Sequence, residues 1–312
     1  MIVRRKNEPW LRLLVTFHGS SLEKTWRRIT AATAVSIGVT LLSLHYRMDQ
    51  YTFTTAPFTL IGVALGIFLG FRNNASYDRF WEGRKLWGAL VNTCRTLARQ
   101  AESLPDISER EQFEITQFRE RFIRRVIAFA HSLRLHLRDE DNPEQFQHML
   151  DVDEFESTVA SKHRPVAIMT ALGRDVQQAK QHGWLDAMSV HAIDRQLAEL
   201  SNIMGGCERI KNTPIPFPYA VLIHRLVAFY CFALPFGLVD TVHYLTPIVV
   251  FLVSHAFFGL DAIGDEIENP FDHDANSLPL RAICQTIEIN LLEQLGESDL
   301  PKPAIPVGFI LD

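Results

Sequence analysis

The chain has 312 residues, 47% of them hydrophobic and 21% charged, with a mean hydropathy of +0.02 and a formal net charge of -5. That balance fits neither an ordinary soluble protein nor a bare bundle of membrane spans, and a mildly acidic chain offers no basic field for nucleic acid. The four cysteines, Cys94, Cys207, Cys231 and Cys284, stand far apart without CxxC spacing, which argues against a disulfide framework or a thiolate zinc site.

Arg4, Arg5 and Lys6 precede an apolar patch at residues 10–17 that is too short to span a bilayer and lacks a small-residue cleavage site, so it reads as an interfacial helix and not a signal peptide. Residues 29–45 supply nearly the roughly twenty apolar positions of a span. Pro57 then opens a charge-free run at 58–71, which predicts the second span. The sequence after Arg72 stays helix-compatible, with no proline or glycine pair, so one long helix is expected to leave the bilayer and enter a cytosolic part.

That cytosolic part reads as all-helical. Apolar residues recur at three and four over 111–138, a further stretch begins at Phe155 and Val159, and periodicity returns over 186–209, while 138–144 is a charged loop. The third and fourth spans, at 218–239 and 244–260, flank a short connection. Counted outward from His243, Arg225 and Asp261 are equally distant, so a hairpin is expected to pair them at one depth, unless Arg225 only snorkels to headgroups. Beyond residue 290, Pro301, Pro303 and Pro306 predict an extended arm able to wrap a neighbour.

Lysines and arginines crowd ahead of the first span, whereas the loop after it has only Arg47 and the hairpin loop has none, which puts both termini in the cytoplasm. The resulting organisation is a cytosolic or interfacial segment (1–28), two transmembrane helices (29–71), a cytosolic helical region (72–214), two further transmembrane helices (215–262) and a cytosolic C-terminal segment with its arm (263–312). The fold class is all-α, with four transmembrane helices per subunit continuing into a helical bundle.

In the second span Gly62, Gly66 and Gly70 stand four apart and form a bare stripe suited to close helix approach. Val63, Ile67 and Phe71 repeat that spacing about 100° around the helix, an apolar stripe of about 12 Å that predicts a narrow throat. Ordinary helix packing in lipid would produce the same stripes. No nucleophile motif or Gly-rich nucleotide loop supports an enzyme, no duplicated broken helices support a transporter, and a membrane scaffold gives no reason for paired stripes. His131 and His136, five apart, face differently, and His148 and His163 read as polar surface residues without partners.

The segments PFTLIGVALGIFLGFRNNASYDRFWEGRKLWGAL, GGCERIKNTPIPFPYAVLIHR and DEIENPFDHDANSLPL together resemble the bacterial members of the bestrophin family. The resemblance implies a homopentameric ion channel in the bacterial inner membrane, with lipid, its own copies and permeant monovalent ions as partners. Its neck falls on Val63, Ile67 and Phe71, and a cytosolic aperture is expected at Met188, with His191 as rival. Glu266, Asn269 and Asp274 match the calcium clasp of animal members, although Ala275, Asn276 and Ser277 replace carboxylates there. No cofactor is required, and calcium or another divalent cation at that clasp is the candidate. With Phe71 the single aromatic of the neck, and Glu266 and Asp274 available to a vestibule, the expected preference leans to monovalent cations such as sodium, against chloride as the alternative.

Overall fold

The computed structural model describes residues 1–2, 16–46, 54–106 and 111–312. The expected interfacial helix at 10–17 therefore lies almost wholly outside the described residues. Within them the chain is helical: α1 Ser21–Tyr46, α2 Thr55–Ser103, α3 Gln112–Arg138, α4 Val152–Ala160, α5 Arg164–Gln181, α6 Ala187–Asn212, α7 Phe217–Val242, α8 Thr246–Glu268 and α9 Leu280–Gln294. Among the described residues extended pairing is limited to isolated bridges between Ile2 and Ile310 and between Val307 and Ile310.

Among the described residues three stretches are long and apolar enough to cross a membrane: Ser21–His45, Thr55–Ser103 and Phe217–Glu268. The last is broken at His243, whose φ of 51° ends α7 and turns the chain into α8, so it is a hairpin of two packed helices. Each arm exceeds twenty residues, which at 1.5 Å per residue matches the roughly 30 Å hydrocarbon thickness. Pro218 and Pro247 lie in the first turns, where a missing N–H costs nothing.

The 49-residue α2 joins two cores. Its buried positions, Leu65, Leu69, Arg72, Ser76, Gly83, Trp87, Leu90, Cys94 and Leu97, recur at three and four except for one step of seven, where Arg79 and Phe80 are half-buried, so a single face of one helix serves both halves. The first half packs with Ile29 of α1, Ile223, Val227 and Cys231 of α7, and Val250 and Phe258 of α8. Trp87, Leu90 and Leu97 join Phe118, Phe122 and Phe129 of α3, Ile168 and Leu172 of α5, Leu200 and Ile203 of α6, and Ile287 and Leu291 of α9.

The expected 138–144 loop is shorter in the structure: Arg138 is buried at the end of α3, which stops at Asp139 in the left-handed region (φ 54°) that a short polar side chain tolerates, and a 3-10 turn already begins at Pro143. The proline-rich arm is extended. It lies on its own chain, with the Gln285 amide donating to the Lys302 carbonyl at 2.7 Å, Leu311 N–H donating to the Met1 carbonyl at 2.9 Å and Arg138 paired with Asp312 at 2.6 Å.

Candidate functional site

The face of α2 opposite its buried seam carries the exposed stripe. Leu65 and Leu69 are buried, whereas Val63, Ile67 and Phe71 are 60%, 54% and 66% exposed on the single chain. Two residues of offset turn a helix by about 200°, so these side chains point away from every helix of their own subunit. The three glycines do not share one environment. A methyl at Gly62 would sit 2.6 Å from the Tyr230 hydroxyl of α7, so this glycine serves packing inside the subunit, while Gly66 and Gly70 have nothing of their own chain within 4 Å. Met188 lies in the first turn of α6, held by the Asp186 carboxylate, which accepts from the Ser189 N–H at 2.6 Å. Its side chain is 74% exposed, and His191, one turn on, is exposed on the same face.

Immediately below the stripe, polar groups from four helices converge. Arg72 is fully buried and donates through Nη1 to Asp261 Oδ1 at 2.7 Å and through Nη2 to Asp265. Asp261 Oδ2 takes His224 Nδ1 at 2.7 Å, and Arg28 of α1 stands 4.0 Å away. Asn73 donates to the Leu260 carbonyl at 3.1 Å, and Gly264 leaves room for its side-chain oxygen. Seven residues along the same face, Arg79 caps two helix ends at once, donating to the Glu268 carbonyl at 3.0 Å, to Ile210 at 2.7 Å and to Thr213.

The expected Arg225–Asp261 pair does not form. Matching distances along a hairpin fix depth but not helical phase, and the phase of α7 turns His224 toward Asp261 while Arg225 is exposed. The principal partner, Arg72, comes from α2; in the sequence it registers only as the charge that ends an apolar run.

At the clasp, Asp274 and Glu266 face a side chain the sequence did not suggest. The Lys24 ammonium stands 3.0 Å from Asp274 Oδ1 and 3.9 Å from Glu266 Oε2. Asn276 donates to Glu266 Oε1 at 2.9 Å and to the Gly19 carbonyl. Asn269 is the residue that closes α8, and its carbonyl accepts from Asp272 N–H at 3.3 Å. Calcium asks for six to eight oxygens about 2.3–2.6 Å away. An ammonium and an amide N–H directed at the same carboxylates do not fit that requirement.

His148 and His163, read as unpartnered, both have carboxylates, and so do His131 and His136. His131 Nε2 lies 2.9 Å and His148 Nε2 3.6 Å from Glu288, while His136 and His163 meet Glu208 at 3.0 and 2.7 Å. His131 and His136 do face differently, toward α9 and α6. Burial holds His136 below its ordinary value, His163 adds to that, and Glu208 pulls the other way. Burial also pushes the Cys207 and Cys284 thiols up to about 12, which keeps them protonated and inert.

Residues 1–293 match the family model described as bacterial/fungal bestrophin protein. The chain is 42% identical over 311 residues, 100% of both chains, to the voltage-dependent anion channel-forming protein RSc3414 of Ralstonia nicotianae. It is 39% identical to the voltage-dependent anion channel-forming protein YneE of Escherichia coli strain K12, over 98% of each. Among solved structures, a bacterial bestrophin homologue from Klebsiella pneumoniae superposes with a TM-score of 0.82 at 36% identity, covering 87% of this chain and 98% of that one. An unbroken match of sequence and of helical architecture makes this chain a member of the bacterial and fungal bestrophin family, a membrane ion channel and not an enzyme.

Proposed function

We propose that five copies of the chain surround one axial pore, that each contributes four transmembrane helices with both termini in the cytoplasm, and that the pore passes monovalent anions across the bacterial inner membrane. Val63, Ile67 and Phe71 would form stacked apolar rings at the neck, and Met188 a second constriction on the cytosolic side. The observation that carries this reading is the exposed apolar stripe on α2, opposite the seam that packs against the subunit's own helices. A helix in lipid also exposes apolar groups, but this one continues into the cytosolic core, and Gly66 and Gly70 beside the stripe leave room for another helix.

A narrow apolar ring offers a permeating ion no substitute for its hydration shell and so opposes conduction by dewetting. The anion assignment is supported by the names of the relatives, which are those of anion channel-forming proteins. The lean toward cations loses one of its two acidic residues, because Glu266 is 7% exposed and occupied by Asn276 and Lys24.

The test is single-channel recording of the purified protein in planar bilayers under a sodium chloride gradient. Discrete currents that reverse near the chloride potential, and a larger unitary conductance in Ile67→Ala, are expected. Reversal near the sodium potential would overturn the anion assignment, and unchanged conductance in Ile67→Ala would overturn the neck.

A further inference from the structure

In the cytosolic half, two imidazoles and one carboxylate from three separate elements meet at a point. His136 stands in the last turn of α3, His163 is the residue that caps the start of α5, and Glu208 projects from α6. Glu208 Oε1 lies 3.0 Å from His136 Nε2 and 2.7 Å from His163 Nε2, and the two rings are 4.5 Å apart at their centres. One donor atom from each of the three residues falls within 4.8 Å of the others. All three are half-buried, which fixes them without sealing them from solvent.

The surrounding charges make the point unusual. Glu208 is flanked by cations directed elsewhere: Arg209 reaches Glu82, and Lys211 donates to the His136 carbonyl at 2.9 Å and to Asp139 at 2.5 Å. Its charged-group partners among the described residues are therefore the two imidazoles. Contrast the clasp, where Lys24 already supplies the positive charge, and a second histidine–carboxylate cluster among the described residues, His224, Asp261 and Asp265, where the Arg72 guanidinium sits between the carboxylates. At those two places an internal cation takes the position of a metal; at Glu208 none does.

We propose that His136, His163 and Glu208 form a binding site for a divalent transition metal of the zinc type, one per chain, which clamps the end of α3 and the start of α5 onto α6. Two imidazole nitrogens and one carboxylate oxygen are a common donor set for such ions, with water in the fourth position, and imidazole disfavours calcium and magnesium. Metal–ligand distances of about 2.0–2.2 Å set tetrahedral donors about 3.3 Å apart. Atoms now 2.7 and 3.0 Å apart reach that spacing by small side-chain rotations. The clamp would stiffen α6, the helix that carries Met188 at its start and ends where Arg79 ties it to α8.

The experiment uses the full-length protein in detergent, stripped with chelator and titrated with zinc chloride. One zinc retained per chain after gel filtration is expected, with affinity lowered by about tenfold or more in His163→Gln and in Glu208→Gln and unchanged in His224→Gln. Cobalt substitution gives a readout independent of any variant: the wild type should show the intense ligand-field bands of a four-coordinate ion. Failure of the wild type to retain zinc, absence of those bands, equal retention by a His136→Asn, His163→Gln, Glu208→Gln triple variant, or loss in His224→Gln with retention in His163→Gln would each overturn the proposal.

Discussion

Arg72 and Asp261, 189 residues apart in sequence, meet through a 2.7 Å bond with both side chains at most 1% exposed. The pair lies where α2 passes from one core to the other, and it ties α2 to α8. Removing one partner of a buried pair strands the other charge, a cost of about 3–5 kcal/mol. Arg72→Met takes the guanidinium from two carboxylates and leaves the buried Asp261 only His224 and the more distant Arg28, whereas Asp261→Asn leaves the arginine with Asp265. Arg72→Met is therefore expected to be the more damaging, read as loss of helical signal on heating in detergent. Equal thermal stability of the two variants would contradict this account.

The glycines of this chain divide by what a methyl group would strike. At Gly264 it would lie 2.4 Å from Asn73 Oδ1, and at Gly237 2.3 Å from the Phe58 ring, while Gly66 and Gly70 meet nothing of their own chain. Asn73 is held by the Leu260 carbonyl, so it cannot retreat without losing that bond. Gly264→Ala should lower subunit stability by about 1–3 kcal/mol. Gly66→Ala and Gly70→Ala should leave the subunit fold intact and act, where they act at all, on assembly. Circular dichroism melts alongside light scattering on the size-exclusion peak separate the two effects, and a destabilised subunit in Gly66→Ala would show that α2 packs differently.

What was legible in the sequence was periodic. The apolar runs, the continuation of α2 past Arg72 and the stripe of Val63, Ile67 and Phe71 all follow from spacing along one helix, and the structure places them accordingly. What was not legible depends on phase or on distant partners. Counting residues put Arg225 level with Asp261, yet a helix turns 100° per residue and the adjacent His224 takes the contact. Lys24 and Asp274 are 250 residues apart, and Glu208 gathers histidines from two other helices. No local pattern encodes such meetings.

Lys24 bears directly on calcium. Its ammonium stands 3.0 Å from Asp274 and 3.9 Å from Glu266, within the segment that matches the animal clasp. A monovalent cation built into the chain performs the charge compensation a divalent ion would otherwise supply. Calcium titration of the wild type is expected to give no heat and no change in current. Lys24→Gln removes the ammonium while keeping a polar side chain, and should gain weak calcium binding at Glu266 and Asp274, detectable by calorimetry. Calcium-dependent heat or current in the unmodified protein would refute the compensation.

The acid limit of stability should involve Glu288. Burial works to raise its carboxyl, but the hydrogen bond and charge of His131, with His148 beyond, outweigh it and hold the group below its ordinary value of 4.5. A carboxylate whose folded value lies below its unfolded one favours folding fully above the unfolded value. The benefit drains away as pH falls through the lowered folded value. Glu288→Gln should therefore be less stable than the wild type at neutral pH and converge with it once pH has fallen below the lowered folded value, since protonation has by then removed what the substitution removes. Melting temperatures of both proteins between pH 3 and 7 test this directly: parallel curves across that window would mean that Glu288 contributes through packing alone and not through its charge.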